Sequence, residues 1–275
     1  MKCNIIGGFA VAVLLVAAPL GVASAADMPV KAPAPPPPSP PTTSWTGCYV
    51  DAGGGYGFWR QDSYFEVLNP LSALSTSATS GGSGWYGTVG AGCDYQVGQR
   101  FVVGVLGDYD FMHIHGKYEM PSVAVPIFPA GAGSGLAGDE NERSAWAVGG
   151  RIGYLVAPAL LTYISGGYTA THFNTVNFSS MGIFTPPFTS PVALASNTYT
   201  GWFIGGGTEY ALDWFPGLFL RTDYRYSAYR AANVPITSTS LLFIGSGVNS
   251  QKSVQTIGTE LVWRFNWTSL VAARY

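Results

Sequence analysis

The sequence predicts an all-β fold, an eight-stranded antiparallel up-and-down transmembrane β-barrel, and three observations support this prediction. Charged residues make up only 10% of the 275-residue chain, against roughly 25% in soluble domains, so such a surface would be poorly soluble in water. Period-two alternation recurs from Trp45 onward without helix-like periodicity. The alternating segments are joined by short and long connections in turn, which is typical of a barrel that crosses a membrane.

The overall composition also excludes several classes of protein. Hydrophobic residues reach 47%, which is enough for a packed structure rather than a disordered chain. A net charge of −2 gives no electrostatic basis for binding nucleic acid. Beyond the N-terminal segment, no stretch has the long uncharged apolar run that a spanning helix needs.

Residues 1–25 are predicted to be a signal peptide. Lys2 gives the positive start, residues 5–18 are apolar, and the small residues at 23–25 form a cleavage site. The protein is therefore expected to be exported, with a mature chain that begins at Ala26.

Residues 26–44 are predicted to be a proline-rich periplasmic linker. Eight of the thirteen residues in 29–41 are proline, so this segment cannot donate hydrogen bonds to a sheet and should form an extended polyproline-type spacer. At about 3.1 Å per residue it would reach roughly 40 Å. Two interpretations stay open: a tether to peptidoglycan, and a passive linker that keeps the new chain unfolded during export.

Residues 45–266 are predicted to form the barrel, followed by a short C-terminal tail over 267–275. In residues 144–156, Trp146 and other apolar side chains fall on one face, while Arg151 and small residues fall on the other. This pattern indicates lipid outside and a polar lumen inside, whereas a soluble lipocalin-like barrel would have the reverse sidedness. The predicted strands lie near 46–60, 83–97, 101–114, 143–156, 161–173, 199–212, 218–230 and 252–265. The predicted short turns cover 97–100, 157–160 and 213–217, and the predicted long loops cover 61–82, 115–142, 174–198 and 231–251.

Charged residues recur on the inward faces of the predicted strands. An eight-stranded barrel is about as wide as its inward side chains, so these charges are expected to pair. One interpretation is an ion-pair and water network that plugs the lumen, and the other is a narrow ion path lined by the same residues. Inward glycines fit both, because they leave room either for water or for large side chains that cross the lumen. The inward charges are Asp51, Asp94, Asp108, Asp110, Arg151, Glu209, Arg221, Asp223, Arg225, Glu260 and Arg264.

Two cysteines, Cys48 and Cys93, remain in the predicted mature chain and lie roughly symmetrically about the first long loop. A symmetric hairpin would place them opposite each other near the periplasmic rim. An oxidising compartment permits a disulfide there if the Cα atoms lie within about 7 Å. The alternative is a pair of small lipid-facing residues, because a register change of one residue would separate them.

Aromatic residues on the outward faces lie towards the strand ends. Such residues form girdles at the two membrane interfaces. The uncharged stretch 173–208 adds an apolar loop, interpreted either as a contact surface or as a loop folded over the barrel mouth. The predicted girdle is Trp85, Tyr95, Phe101, Trp146, Tyr154, Trp202, Tyr210 and Trp263.

A resemblance to a known family begins at residues 45–50, WTGCYV, which follow ADMPVK at 26–31 and the proline run. In layout the whole chain resembles the Omp25/Omp31-type small outer-membrane proteins of alphaproteobacteria, often described as porin-family β-barrels. The resemblance implies an outer-membrane location and surface-exposed loops, with outer-membrane lipid and lipopolysaccharide as expected contacts. Members of that group are described as envelope-stabilising proteins, surface antigens or small porins, so the resemblance does not choose among these roles.

The last predicted strand resembles the signal that the barrel assembly machinery reads, which makes that machinery an expected partner. Gly258, Leu261, Trp263 and Phe265 fit its spacing, although the chain continues to Tyr275. Phe265 is favoured as the terminal aromatic residue because alternation stops after it.

No pattern marks a catalytic, cofactor or metal site, and the sequence predicts a protein that is not an enzyme. His113 and His115 share a strand face, but no acidic residue or cysteine accompanies them there to complete a metal site. Residues 133–138 match the dinucleotide fingerprint by letter, yet they lie in a predicted loop without the strand and helix that it needs. No spacing of serine and histidine marks a nucleophile.

The sequence therefore predicts an outer-membrane barrel with a structural and surface-presenting role, namely envelope integrity and loop-mediated contacts. The alternative is a small, weakly selective porin that passes ions or small solutes through a charge-lined lumen. The oligomeric state and the partners of the loops stay open.

Overall fold

The computed structural model describes residues 43–68, 71–73, 75, 77–119, 136–180, 192–238 and 246–265. Within these ranges, no helix is long and apolar enough to cross a membrane. The predicted signal peptide, nearly all of the predicted linker and the predicted tail lie outside the described residues. The strands are β1 (Gly47–Leu68), β2 (Leu71–Ala73), β3 (Ala78–Val97), β4 (Phe101–Glu119), β5 (Leu136–Ala157), β6 (Leu160–Phe173), β7 (Val176–Ser180), β8 (Val192–Leu194), β9 (Asn197–Ala211), β10 (Leu218–Tyr229), β11 (Ala232–Ser238) and β12 (Ser246–Phe265).

Eight long strands form a closed antiparallel ring in the order β1, β3, β4, β5, β6, β9, β10 and β12, with β12 paired back to β1. The closing ladder runs from Cys48 opposite Phe265 to Val67 opposite Ser246. Closure removes the unpaired edges that an open sheet would expose. The predicted eight-stranded up-and-down barrel is confirmed, and each predicted strand lies within one residue of, or inside, one long strand.

Tight turns join the strands at one end of the ring, which we call the short-turn end. Gly98, between β3 and β4, has a φ of +65°, and Gly217, before β10, has a φ of +87°. Both angles lie in the left-handed region, which residues with a Cβ rarely adopt. Glycine at these positions therefore lets the chain reverse within a few residues.

At the opposite end, the long-loop end, the predicted bounds of the four long loops are wrong. Five long strands extend into the ranges predicted as loops, namely β1, β3, β4, β5 and β12. Three short strands, β7, β8 and β11, pair with one another and join β5 to β12 in the order β5, β7, β8, β11 and β12. These ranges are rich in Ser, Thr and Gly, which is typical of loops. Several of their inward residues, such as Phe65, Tyr118 and Val248, are nevertheless apolar and buried in one cluster. That burial, together with backbone pairing, stabilises strands where composition predicts irregular chain.

Outward side chains form an apolar band around the ring. The band runs from Val50 to Phe58 on β1 and from Phe101 to Phe111 on β4. About nine to eleven residues of a tilted strand cross the hydrocarbon core of a bilayer. Outward charge begins directly beyond the band at the long-loop end, for example at Arg60. The barrel is therefore apolar outside and polar inside, as predicted, and the lipocalin-like alternative is wrong.

Two apolar clusters and a belt of charged residues fill the described interior. The belt lies between the two clusters. Its members nearest the short-turn end interleave with the cluster at that end, since Tyr49 is opposite Arg264. The cluster at the short-turn end, which we call the short-turn plug, contains Trp45, Tyr49, Val102, Leu155, Leu161, Tyr163, Ala211, Phe219 and Val262. The cluster at the other end, the long-loop plug, contains Trp59, Phe65, Met112, Ile114, Tyr118, Ala145, Phe173, Val176, Val192, Leu194, Tyr199, Tyr229, Val234, Ile236, Val248 and Val254.

Candidate functional site

Strand alternation places all eleven predicted inward charges on the inner wall of the barrel. Each of them lies at an inward position of a long strand, and most are buried. We call this set the charged belt. It contains seven carboxylates and four guanidinium groups, so the guanidinium groups must each satisfy more than one carboxylate if the belt is to be stable.

Glu209 is the centre of the lower belt, the part of the charged belt nearest the short-turn end. One of its oxygens, Oε2, accepts from Arg151 Nη1 at 3.1 Å and from Arg221 Nε at 3.2 Å. The other, Oε1, accepts from Arg264 Nε at 2.9 Å and Nη2 at 2.5 Å. Asp94 joins the same group, accepting from Arg264 Nη1 at 2.7 Å and twice from Arg151. Both carboxylates have fully buried side chains, so these contacts replace their hydration.

The upper part of the belt continues the network towards the long-loop end. Arg221 Nη1 donates to Asp51 Oδ2 at 3.1 Å and to Glu260 Oε2 at 3.0 Å. Arg225 binds Asp108 through two parallel hydrogen bonds of 2.7 and 2.6 Å. Such bidentate pairs fix both distance and orientation. The four arginines are thus all tied to carboxylates on other strands.

Aromatic rings fill the space around the guanidinium groups. The Tyr49 ring lies 4.7 Å from Arg151, 4.8 Å from Arg221 and 5.0 Å from Arg264, measured from ring centroid to guanidinium carbon. Trp45 contacts Arg264 at 5.0 Å. Rings at these distances attract a desolvated cation, so the aromatic groups both occupy the cross-section and stabilise the charges within it.

Inward glycines make room for the belt side chains. A Cβ at Gly104 would overlap Asp94 Oδ1, and one at Gly92 would overlap the Tyr49 hydroxyl. Large side chains therefore cross the lumen directly over these glycines. Of the two interpretations that the sequence left open, the structure favours the one in which glycines accommodate large side chains.

A small cavity lies in the upper belt, lined in part by Asp51, Asp108, Arg221 and Arg225. Its volume is about 20 Å³, which is room for roughly one water molecule. Arg221 Nη2 has no hydrogen-bond partner among the described residues. A cavity of this size does not hold a hydrated ion.

The long-loop plug contains a second charged group that the sequence did not reveal. The Lys252 ammonium is buried and donates to Gln61 Oε1 and, at 2.6 Å, to Glu140 Oε1. It also lies 4.0 Å from the Phe173 ring centroid and 5.1 Å from that of Trp59. Burial lowers the pKa of Lys252, although the Glu140 carboxylate partly opposes that shift. The ion pair thus sits in an aromatic cage beyond the membrane band.

Glu142 points into the same plug because of a β-bulge in β5. The register shifts between Glu142 and Ser144, so Glu140 and Glu142 face inward above the bulge while Ala145 faces inward below it. Glu142 Oε1 accepts from Thr171 Oγ1 at 2.6 Å. Burial raises the pKa of Glu142 to about 7, against the smaller effects of the Thr171 hydrogen bond and of Lys252. This carboxyl therefore gains or loses its proton when the pH changes around 7.

Cys48 and Cys93 face each other directly across β1 and β3. Their sulfur atoms are bonded at 2.03 Å. Both residues lie at outward positions near the short-turn end. The structure therefore combines the two alternatives, since the cysteines face lipid and are also joined.

All eight predicted girdle residues are outward, with exposed fractions between 38% and 71%. Tyr95, Phe101, Tyr154, Tyr210 and Trp263 lie towards the short-turn end, and Trp85, Trp146 and Trp202 lie towards the long-loop end. The sequence missed Phe111 and Tyr168, which extend the second row.

The remaining predicted features are only partly described. In the predicted assembly signal, Leu261, Trp263 and Phe265 face outward and Gly258 faces inward. Most of the predicted apolar loop lies outside the described residues, but Phe178 belongs to β7 and packs against the long-loop plug. In the described ranges, no three His, Cys, Asp or Glu side chains are grouped so that they could hold a metal ion.

Comparison with known proteins gives one family match and two curated relatives. A family model described as "Outer membrane protein beta-barrel domain" matches residues 11–265. The "31 kDa outer-membrane immunogenic protein" of Brucella melitensis is 29% identical over 238 residues, which is 82% of this chain and 88% of that protein. The protein of the same name from Brucella suis matches to the same extent.

Among solved structures, the chain is similar to the outer membrane protein OprG from Pseudomonas aeruginosa. That alignment has a TM-score of 0.47 and 11% sequence identity, and it covers 82% of this chain and 99% of OprG.

Proposed function

We infer the role of this chain from its interior and its family: the chain belongs to the family of outer membrane protein β-barrel domains and lies in the outer membrane. We propose that the role is structural and surface-presenting, and that the lumen is closed to solutes. In outer-membrane barrels the short turns face the periplasm and the long loops face outside. The short-turn plug is then the periplasmic closure and the long-loop plug the extracellular one.

The observation that carries this proposal is the pairing of the charged belt between two apolar plugs. Arg151, Arg221 and Arg264 each make three hydrogen bonds to belt carboxylates. A path for ions would require several of these groups to swing aside at once. A buried charge left without its partner costs about 3–5 kcal/mol, and such a path would leave several charges without partners. Thermal motion would therefore open such a path rarely.

A specific observation favours a small porin as a second candidate. The belt carries seven carboxylates against four guanidinium groups, and the cavity beside Asp51 and Asp108 admits water. An excess of negative charge would attract cations to a lumen that opened. The two plugs argue against this candidate, because a cation would have to pass both.

We assign no catalytic role to the chain. Among the described residues, His113, His115 and His172 all face outward at the long-loop end of the band, away from the belt carboxylates. The curated relatives are described as outer-membrane immunogenic proteins, a description that names no reaction.

A deletion strain distinguishes the two candidate functions. Loss of a structural barrel should increase sensitivity to detergents and leave the uptake of small hydrophilic solutes unchanged, and the wild-type gene should restore resistance. Slower solute uptake with unchanged detergent resistance would instead support the porin and overturn the structural proposal.

A further inference from the structure

All three histidines of the chain lie together on one outward patch with Arg143. His113 and His115 belong to β4, Arg143 to β5 and His172 to β6, and these strands are neighbours in the ring. Neighbouring strands are about 4.8 Å apart, so the patch is roughly 10 Å wide. We call these four residues the histidine–arginine patch.

A β-bulge places Arg143 at the centre of the patch. Against β6, Glu142 pairs with Phe173 and Ser144 pairs with His172, which makes Arg143 the extra residue. The ladder between β5 and β4 is irregular at the same point. Its side chain is exposed on the outer wall. Bulges re-aim side chains and are enriched beside functional sites. Without the bulge, the alternation that places Ala145 inward would have pointed Arg143 inward and Glu142 outward.

The patch lies at the depth of the lipid headgroups. The outward aromatic edge of the apolar band is formed here by Phe111, Trp146 and Tyr168. His113 is the next outward residue after Phe111, and a single outward residue separates the patch from Trp146 on β5 and from Tyr168 on β6. Aromatic edges of this kind mark the membrane interface. Because this is the long-loop end, the headgroups beside the patch belong to the outer leaflet.

Two of the imidazoles are held in fixed orientations by neighbouring polar groups. His115 Nδ1 lies 2.6 Å from Asn141 Oδ1, and His172 Nδ1 lies 3.0 Å from Thr198 Oγ1. In each ring, Nε2 has no protein partner within the described ranges. Both rings thus present one nitrogen to a ligand outside the barrel.

The charge of the patch is not neutralised by the protein. Arg60, elsewhere on the same rim, pairs with Asp62 at 3.5 Å, whereas Arg143 forms no salt bridge among the described residues. The first outward carboxylates farther along these strands are Asp139, which faces Lys117, and Glu119. The protein therefore supplies no anion to Arg143, whereas the lipid headgroups beside the patch carry anionic groups.

We propose that the histidine–arginine patch binds the phosphate of a lipopolysaccharide headgroup in the outer leaflet. A guanidinium group matches the planar, bidentate geometry of a phosphate, and the imidazole nitrogens on both sides add hydrogen-bonding groups. The inference does not depend on whether the lumen is closed, because the patch lies on the outer wall.

The test measures binding of lipid A to the full-length protein refolded in phosphatidylcholine nanodiscs. The probes are bis-phosphorylated lipid A and the same lipid after enzymatic dephosphorylation. We expect the phosphorylated form to bind about tenfold more tightly or better, since charge-assisted contacts to phosphate are among the stronger hydrogen bonds. Equal binding of the two lipids would overturn the proposal.

Two variants and one matched control locate the site. Arg143→Gln should weaken binding of the phosphorylated lipid, and adding His172→Gln, which removes an oriented imidazole beside Arg143, should remove most of the preference. Arg230→Gln neutralises an exposed arginine next to β10 at the same end of the barrel and should leave binding unchanged. Heat-modifiable gel mobility shows whether each variant is folded, and Arg143→Gln alone decides the matter if the double variant does not fold.

Two results would contradict the assignment. An equal loss of binding with Arg230→Gln would mean that the rim attracts lipid without a specific patch. Displacement of lipid A by an equal concentration of inorganic phosphate would mean that the patch is a site for free anions rather than for a lipid headgroup.

Discussion

Neutralising Glu209 tests whether the belt is held by its geometry or by its net charge. Of the nine hydrogen bonds that Arg151, Arg221 and Arg264 make to belt carboxylates, three each, four end on Glu209. If net charge controls stability, Glu209→Gln should leave the free energy of unfolding unchanged or raise it, because the variant lowers the excess of carboxylates in the belt. Geometry predicts the opposite, because the variant removes the charge on which three buried guanidinium groups converge.

We expect geometry to dominate at these distances. Leaving one partner of a buried pair without its counter-charge costs about 3–5 kcal/mol. Glutamine keeps the shape of Glu209 and one acceptor oxygen, so the lower end, about 3 kcal/mol, is the expected loss in the free energy of unfolding. Much of that loss arises from Arg264, which is nearly fully buried and keeps only Asp94 as a charged partner.

The assay is reversible urea unfolding of the barrel in lipid vesicles, followed by tryptophan fluorescence. The matched control is Asp62→Asn, which breaks the exposed pair with Arg60, whose side chains are 67% and 53% accessible. Exposed pairs contribute about 0–1 kcal/mol, so the control should unfold almost like the wild type. A loss of less than about 0.5 kcal/mol for Glu209→Gln would refute the geometric argument and support control by net charge.

Three further predictions concern the long-loop plug, the inward glycines and the cysteines. Burial raises the pKa of Glu142 to about 7, so the contribution of this carboxyl to stability is full below its ordinary pKa and is lost as the pH rises through 7. Urea unfolding at pH 5 and pH 8 should show this loss in the free energy of unfolding, which is about 3 kcal/mol at most. Glu142→Gln should abolish the loss. Gly104→Val should prevent folding, because its Cβ would overlap a belt carboxylate, whereas Gly107→Val on the outward face, where the nearest atom is 3.6 Å away, should fold in the heat-modifiability assay. The bond between Cys48 and Cys93 should change the gel mobility of the denatured protein on reduction; equal mobilities together with two titratable thiols would exclude it.

Much of the barrel wall could be predicted because alternation needs only local sequence. The inward position of Arg221 follows from its parity in the 218–230 segment, whatever lies elsewhere in the chain. Its partners do not follow, since Asp51 is 170 residues away and the pairing depends on the register of every strand between them. The same holds for Tyr49, whose inward parity is visible in the sequence but whose three arginine neighbours come from three other strands.

The long-loop end was harder to predict for a different reason. A single extra residue at Arg143 inverts the alternation of β5, so that Glu140 and Glu142 face inward above it and Ala145 below it. No local signal marks that bulge. The Ser- and Gly-rich ranges around it are typical of loops, and only the shared burial of distant residues such as Val248 shows that they are strands.

Single-channel conductance of the refolded full-length protein in a planar bilayer tests the closed lumen most directly. Heat-modifiable mobility would first show that the inserted protein is folded, and a known porin in the same bilayer would show that channels are detectable. We expect a silent wild-type protein, because the arginine–carboxylate belt and the two plugs fill its interior. Reproducible conductance steps that change with Arg151→Ala or Arg221→Ala would contradict a closed lumen and make the belt the lining of a pore.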